Sequence, residues 1–509
     1  MNRRDFLGKA LTTAAIPAVI GGFSLRGFAA NSLLQRVLSS APPMNDHVLV
    51  MVKLTGGNDG LNTVIPIDVY SNYFNARSNI AIPENRILSL NGISAMGLHP
   101  SMTGMQTMFN EGNLGIIQAV SYPNPNFSHF RATDIWMSGS NSDDVLTSGI
   151  AGRYLDYEFN GFPNGYPNNI MPDPLAIQIG SISSLALQGP TVNMGMSISD
   201  PTNFYNFING VEDPLPINNA GKELSYVRSV VKQTQQYSTV IKNAALNVTQ
   251  QSSYPSNNSL AAQLKIVARL VKGGLKTRVY IVEHKGFDTH SLQTDLTDTT
   301  IGTHANLLSN LSEAIKAFQD DLSFLQIEDK VIGMTFSEFG RRIKSNSSGG
   351  TDHGVAAPLF IFGKKANALV LGTSPNIPVN VTDNDNVAMQ YDFRSVYSSL
   401  LQQWLCVRPT DIQEIMLQNF ENLPIIESLS CNTTTYVFNG NGYWSNSSNW
   451  VDGIIPPTNV FGNAEIIIEP QVGGQCILDR SIIQTVSNGA SIIVKSQKTF
   501  VIEGGFIQN

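Results

Sequence analysis

HVLVMVKLTGGNDG, from His47 to Gly60, is the stretch whose reading decides the fold. Its first eight residues are β-branched and apolar, as a buried strand requires, and Thr55-Gly56-Gly57-Asn58-Asp59-Gly60 breaks the run. Similar runs recur at Asn113–Val120, Arg278–Val282, Lys330–Phe336 and Pro358–Phe362. Between the third and fourth, Leu307, Leu308, Leu311, Ile315, Phe318 and Leu322 recur at three- and four-residue steps, which predicts an amphipathic helix. Apolar strands alternating with amphipathic helices predict an α/β domain, a mainly parallel sheet with helices on both faces. In such sheets, ligands collect beyond the carboxyl ends of the strands.

The polar clusters fall there. Asp59 follows the first strand, Ser128-His129 lies a loop after the second, and Asp288 and His290 follow the third. Glu338 follows the fourth, in Ser337-Glu338-Phe339-Gly340-Arg341-Arg342, and Asp352-His353 precedes the fifth, inside GGTDHGVAAPLFIFG (Gly349–Gly363). An adjacent carboxylate and imidazole in a Gly-rich loop suit a hard or borderline divalent metal. Each residue also has a plainer reading: Asp59 as a turn residue, His290 as a packed histidine, Ser128 as the N-cap of a helix holding Phe130, Ile135 and Trp136. The cap does not compete with catalysis, because a hydroxyl at a helix N-terminus is well placed to attack an anionic ester. Arg131, three residues beyond Ser128, and Arg341 and Arg342 on the other rim offer guanidinium forks for phosphate or sulfate oxygens, or are ordinary surface charges.

Composition bounds the alternatives. With 509 residues, 42% of them hydrophobic and 14% charged, the chain has material for one large core and a second, smaller domain. A net charge of -7 without a basic stripe argues against nucleic acid as a partner. Cys406, Cys431 and Cys476 lack CxxC spacing, which excludes a zinc knuckle or thioredoxin-like motif and leaves a Cys431–Cys476 disulfide open. Residues 1–30 read as an export leader: Arg3-Arg4 precede Asp5-Phe6-Leu7, a mildly apolar stretch follows, and Gly27-Phe28-Ala29-Ala30 is a small-residue exit. The leader looks like a twin-arginine signal, with a linker at residues 31–45. That route carries proteins already folded, which fits one that loads metal before it leaves. No later run is long and apolar enough to span a bilayer, so the expected location is the periplasm, the cell surface or the medium.

The wording of these segments resembles the alkaline-phosphatase-like and sulfatase-like superfamily, and more closely the family called domain of unknown function 1501 (DUF1501). LTGGNDGLNTVIP, HPSMTGMQTMFNEGNLGIIQAVSYPNPNFSHFRATDIWMSG, GFDTHSLQ, SEFGRRIKSNSSGGTDHG and APLFIFG carry the likeness, over about residues 46 to 425. It implies an α/β domain over 46–430 and divalent metal ions (zinc, manganese, magnesium or calcium) that bridge a phosphate or sulfate ester attacked by a hydroxyl. By position it implies Asp59 as the first-strand metal ligand and Ser128 as nucleophile. Asp288 with His290, or with His304, stands for the middle set, Glu338 for the start of Asp-His-Gly, and His353 with Asp352 beside it for the last ligand. The chain departs from the pattern at Asp288-Thr289-His290 and at Phe339, a side chain without a donor. One metal site is thereby altered or absent.

Residues 160–258, poor in charge and rich in Asn, Pro, Ser and Gly, read as an insertion covering the sheet's edge, with a helical pattern around Val227, Val230 and Val231. From residue 431 to 509 the texture changes to short strands with Asn, Gly and Ser, a small all-β domain. Trp444-Ser445, Asn449-Trp450 and rungs such as Gly489–Val494 resemble parallel β-helix modules of bacterial surface proteins, and a small β-sandwich is the alternative. Carbohydrate or cell-surface attachment through exposed aromatics competes there with core packing of Trp444 and Trp450. Two function classes stand: an exported metal-dependent hydrolase of anionic esters, small or attached to a polymer, and a non-catalytic surface-associated binding protein keeping the fold with a degenerate site.

Overall fold

A computed structural model describes residues 15–20, 23–28, 46–169, 171–180, 184–198, 237–407, 411–427, 431, 434–460, 464–486 and 490–508. Arg3, Arg4 and the pattern at Val227, Val230 and Val231 lie outside these residues; within residues 1–30, Ala15–Ile20 pairs antiparallel with Phe23–Phe28. The chain divides into two compact units, Asp46–Leu405 with Pro409–Glu427, and Met1–Asn45 with Cys406–Arg408 and Ser428–Asn509.

The larger unit is built on a nine-stranded sheet. Its strands are β1 (Val48–Thr55), β2 (Leu114–Ser121), β3 (Ala176–Ile179), β4 (Gly195–Ile198), β5 (Val279–Lys285), β6 (Val331–Phe336), β7 (Ala357–Phe362), β8 (Val370–Leu371) and β9 (Tyr391–Asp392). The order is β8-β2-β7-β6-β1-β5-β3-β4, with β9 also on β2. Strands β1, β3, β4, β5 and β6 run parallel, while β7 runs antiparallel to both of its neighbours, β6 and β2. The direction of β7 is not legible in Pro358–Phe362, because a continuous apolar run reads alike either way. β3 and β4 extend one edge of the sheet with chain from the 160–258 insertion.

Both faces are covered. Val48, Val50, Val52 and Leu54 of β1 join a core with Leu264 and Val267 of a helix at Ser259–Lys272 and with Leu308, Leu311 and Ile315 of a helix at Thr303–Phe324. The alternate residues Leu49 and Met51 face Met137 of a helix at His129–Ser138 and Tyr397 and Leu400 of one at Phe393–Gln403. Every second side chain of β1 thus enters a different apolar layer, and each fully buried Val or Leu contributes about 1.5–3 kcal/mol. In chain order these helices are α1 (His129–Ser138), α2 (Ser259–Lys272), α3 (Thr303–Phe324) and α4 (Phe393–Gln403).

The smaller unit carries three rungs of short strands. Thr434–Phe438, Ala464–Ile468 and Ser491–Val494 stack in parallel, as do Gly442–Tyr443, Gln475–Leu478 and Thr499–Ile502, and Asn459–Val460, Ile483–Val486 and Gly505–Gln508. This is the parallel stacking of a β-helix and not the antiparallel pairing of a sandwich. Trp444 and Trp450 are buried in its core with Ile466, Leu478 and Phe500, their rings meeting edge to face at 4.7 Å. The disulfide left open from the sequence is corrected: Cys406 pairs with Cys431, their Cα atoms 5.3 Å apart. Cys476 cannot join, because strand alternation turns it into the same apolar core, where burial pushes its thiol pKa up. No helix among the described residues is long and apolar enough to cross a membrane.

Candidate metal centre

Because β7 runs against the other strands, its N-terminal end lies at the edge where β1, β5 and β6 finish. His353, four residues before β7, therefore meets loops that follow parallel strands. It is fixed there by a two-residue pairing of His353–Gly354 with Gly340–Arg341. The turn after β1 needs its glycines: a Cβ on Gly56 would sit 2.2 Å from the Asp288 nitrogen, and one on Gly57 2.4 Å from the Phe339 ring, both at positive φ.

One ligand atom each from His129, Asp288 and His353 lies within 4.8 Å of the other two. His353 Nε2 is 3.3 Å from Asp288 Oδ1, and His129 Nε2 is 3.5 Å from Asp288 Oδ2. His290 joins them, its Nε2 at 2.9 Å from His353 Nε2 and 3.1 Å from Asp288 Oδ1, and its Nδ1 at 3.1 Å from Asp352 Oδ1. The Glu338 carboxylate faces His129 Nδ1 at 2.9 Å. Phe339, buried, packs its ring against His353 at 4.2 Å and His129 at 4.9 Å, so it walls the imidazoles. His129, Asp288 and Glu338 line an open cleft of about 430 Å³, with Lys53, Thr133 and the exposed Phe130 beside them.

Electrostatics favours an anionic carboxylate. Burial raises the Asp288 pKa, but the Arg341 guanidinium, hydrogen-bonded at 2.7 Å, outweighs it and holds the group below its ordinary value. Burial and the Arg341 charge keep His353 below the usual imidazole value, against a hydrogen bond to the Phe127 carbonyl. Partial burial opposes the charge of Asp352, and bonds from Asn346 and His290 lower its pKa on balance. The neutral imidazole favoured at His353 and the ionised carboxylate favoured at Asp288 are donor states that a divalent ion requires.

The other sequence candidates are not among the converging donors. Asp59 is 1% exposed; Arg77 Nη1 donates to both its oxygens at 2.8 Å and Gln293 Nε2 to one at 2.6 Å. His304 is buried in the first turn of α3, its Nε2 at 3.1 Å from Asn58 Oδ1. Arg131 donates to the Asn141, Ser142 and Asp144 carbonyls and so ties down that loop. Arg341 is no surface charge: it is buried and donates to the Gly56, Gly57, Phe287 and Thr351 carbonyls as well as to Asp288. Arg342 bonds the Asn384 carbonyl and lies over the Phe127 ring. Ser128 is the exposed N-cap of α1, and its hydroxyl makes no capping bond. The residue the sequence reading passed over is His129. The only signal was its place beside Ser128, where the serine drew the attention.

A family profile described as "Protein of unknown function (DUF1501)" matches residues 218–394. No curated protein matches the chain significantly. Among solved structures, the chain is similar to Ps i-CgsB in complex with k-i-k-neocarrahexaose (TM-score 0.32, 9% identity, 74% of each chain covered). It is similar to the PsFucS1 sulfatase from Pseudoalteromonas sp. (TM-score 0.32, 10% identity, 79% of this chain and 76% of that one). A third is the alkaline phosphatase from the Antarctic bacterium TAB5 (TM-score 0.25, 9% identity, 65% of this chain and 95% of that one).

Proposed function

We propose that the protein is an exported, metal-dependent hydrolase of phosphate or sulfate esters. The observation that carries this reading is the approach of His129, Asp288 and His353 donor atoms to within 4.8 Å of one another beside an open cleft. Two imidazoles and a carboxylate, with His290 adjoining, suit zinc best among the expected ions, since calcium and magnesium prefer all-oxygen cages. When bound, such an ion polarises an ester oxygen and lowers the pKa of a bound hydroxyl. Export rests on the leader sequence.

The chain's own residues do the rest. Ser128 presents its hydroxyl at the first turn of α1, where unpaired backbone N–H groups and the helix dipole favour an anion. In the reaction, Ser128 Oγ bonds to phosphorus or sulfur, the bond to the ester oxygen breaks, and the alcohol leaves with a proton; water then frees the serine. Arg341 keeps Asp288 ionised and fixed, Phe339 keeps two imidazoles upright, and Arg131 anchors the 141–144 loop beside α1.

The test is metal content of the purified protein beside Asp288→Ala, followed by a screen of aryl phosphates and aryl sulfates with Ser128→Ala as control. About one or two equivalents of metal, lost in the variant, with ester cleavage lost in Ser128→Ala, is the expected result. Phe339, standing where the resemblance implies a ligand, favours the second reading, a binding protein without turnover. Metal bound with no ester cleaved would select it, and no metal at all would remove the hydrolase.

A further inference from the structure

We infer that Glu338 is not a metal ligand but the carboxylate that positions His129 as one. The inference rests on the metal centre proposed above and assigns a role to a residue that the sequence places among the ligands.

Glu338 is 1% exposed. Its Oε1 accepts the Gly56 N–H at 2.9 Å and faces His129 Nδ1 at 2.9 Å, while Oε2 is 3.5 Å from the Ser337 hydroxyl. Against a carboxylate, Nδ1 carries the proton and donates it, so Nε2 is left with its lone pair. That nitrogen faces Asp288 Oδ2 at 3.5 Å, inside the group of converging donors. The approach is reinforced one step further back. Trp136 lies seven residues after His129 on the same face of α1, and its Nε1 donates to the Glu338 carbonyl at 3.0 Å. Two turns of one helix thus grip one residue of the loop after β6, side chain by His129 and backbone by Trp136. A carboxylate behind a ligating imidazole fixes its tautomer and ring angle, and losing it lowers metal affinity about 10–100-fold.

The experiment strips the full-length protein with a chelator and titrates it with Co²⁺, reading both the midpoint and the visible absorption band. His129→Ala removes a ligand, so the band should change and binding weaken most. Glu338→Gln should keep the wild-type band, since the ligands are intact, and bind about 10–100-fold more weakly. In the His129→Ala background, Glu338→Gln should cost nothing further, because Glu338 acts through His129. Glu338→Asp, which keeps the charge but withdraws it, should weaken Co²⁺ in the same direction and serves if the glutamine variant does not fold. A Glu338→Gln band altered like that of His129→Ala would make Glu338 a ligand and overturn the assignment, leaving the metal centre standing. Wild-type affinity in Glu338→Gln would also overturn it. A wild type that binds no Co²⁺ overturns the centre and the assignment together.

Discussion

Two polar clusters in the larger unit use the same residue types and differ in outcome. His129, Asp288, His290 and His353 converge beside a cleft, with the Asp288 side chain 47% exposed. Asp59, Asn58, Gln293 and His304 are buried, and there the cation is already supplied by Arg77. A carboxylate bonded through both oxygens to a guanidinium and sealed from solvent has no lone pair open to an ion; one held to its guanidinium through a single oxygen at the surface keeps the other free to ligate. What separates a candidate ligand from a structural ion pair is therefore the partner and the solvent, and not the residue.

The comparison breaks most sharply at Arg77. Arg77→Ala leaves Asp59 buried and uncompensated, and should cost about 3–5 kcal/mol in urea unfolding while Co²⁺ binding to the folded fraction survives. Equal stability would mean that the buried cluster is not held by that pair.

Acid should test the same cluster next. Burial holds His304 down to about 4 from 6.5. The unfolded chain takes the proton first, so this stability is full above pH 6.5 and lost as pH falls toward 4, about 3 kcal/mol for His304 alone. His99, lowered to about 3 chiefly by burial, acts in the same direction. Asp59 adds a further loss below its ordinary value of 3.8, because its folded pKa is depressed. A His99→Gln/His304→Gln variant should flatten the urea midpoint between pH 6.5 and 4; an unchanged slope would count against buried neutral imidazoles.

Asp288→Asn sharpens the other side. It should weaken Co²⁺ about 100-fold or more and leave chelator-treated stability nearly unchanged, since the group is half exposed. The smallest effect belongs to Arg131→Gln, about 1 kcal/mol or less in unfolding with Co²⁺ affinity unaltered, because its partners are loop carbonyls. A large loss of metal there would bring Arg131 back to the cleft.

Much of this was legible and some was not, for physical reasons. Strands β1, β2, β5, β6 and β7 and helix α3 stood out because full burial leaves unbroken apolar runs or a 3.6-residue stripe. Asp288 and His290 were picked out by their place after the third strand and Asp352 and His353 by the Gly-rich loop before the fifth, and the structure brings them together. Asp59 looked equivalent, since nothing in GGNDG announces that Arg77, 18 residues on at the end of a short helix, will claim it. Glu338 and His129 sit 209 positions apart, and their meeting depends on β2 and β6 flanking β7 in the sheet with the same direction, a strand order that no local pattern encodes.

The guanidinium of Arg341 has one more implication. It collects four carbonyls and one carboxylate from chain segments near residues 56, 287 and 351. Those segments are far apart in the sequence, and no short excised piece contains them all. The Asp288-Thr289-His290 loop is consequently not a portable module: grafted onto another scaffold or made as a peptide, it would lose the hub that aims its aspartate. Metal uptake at the proposed centre should accordingly serve as a signal that the whole sheet has been assembled.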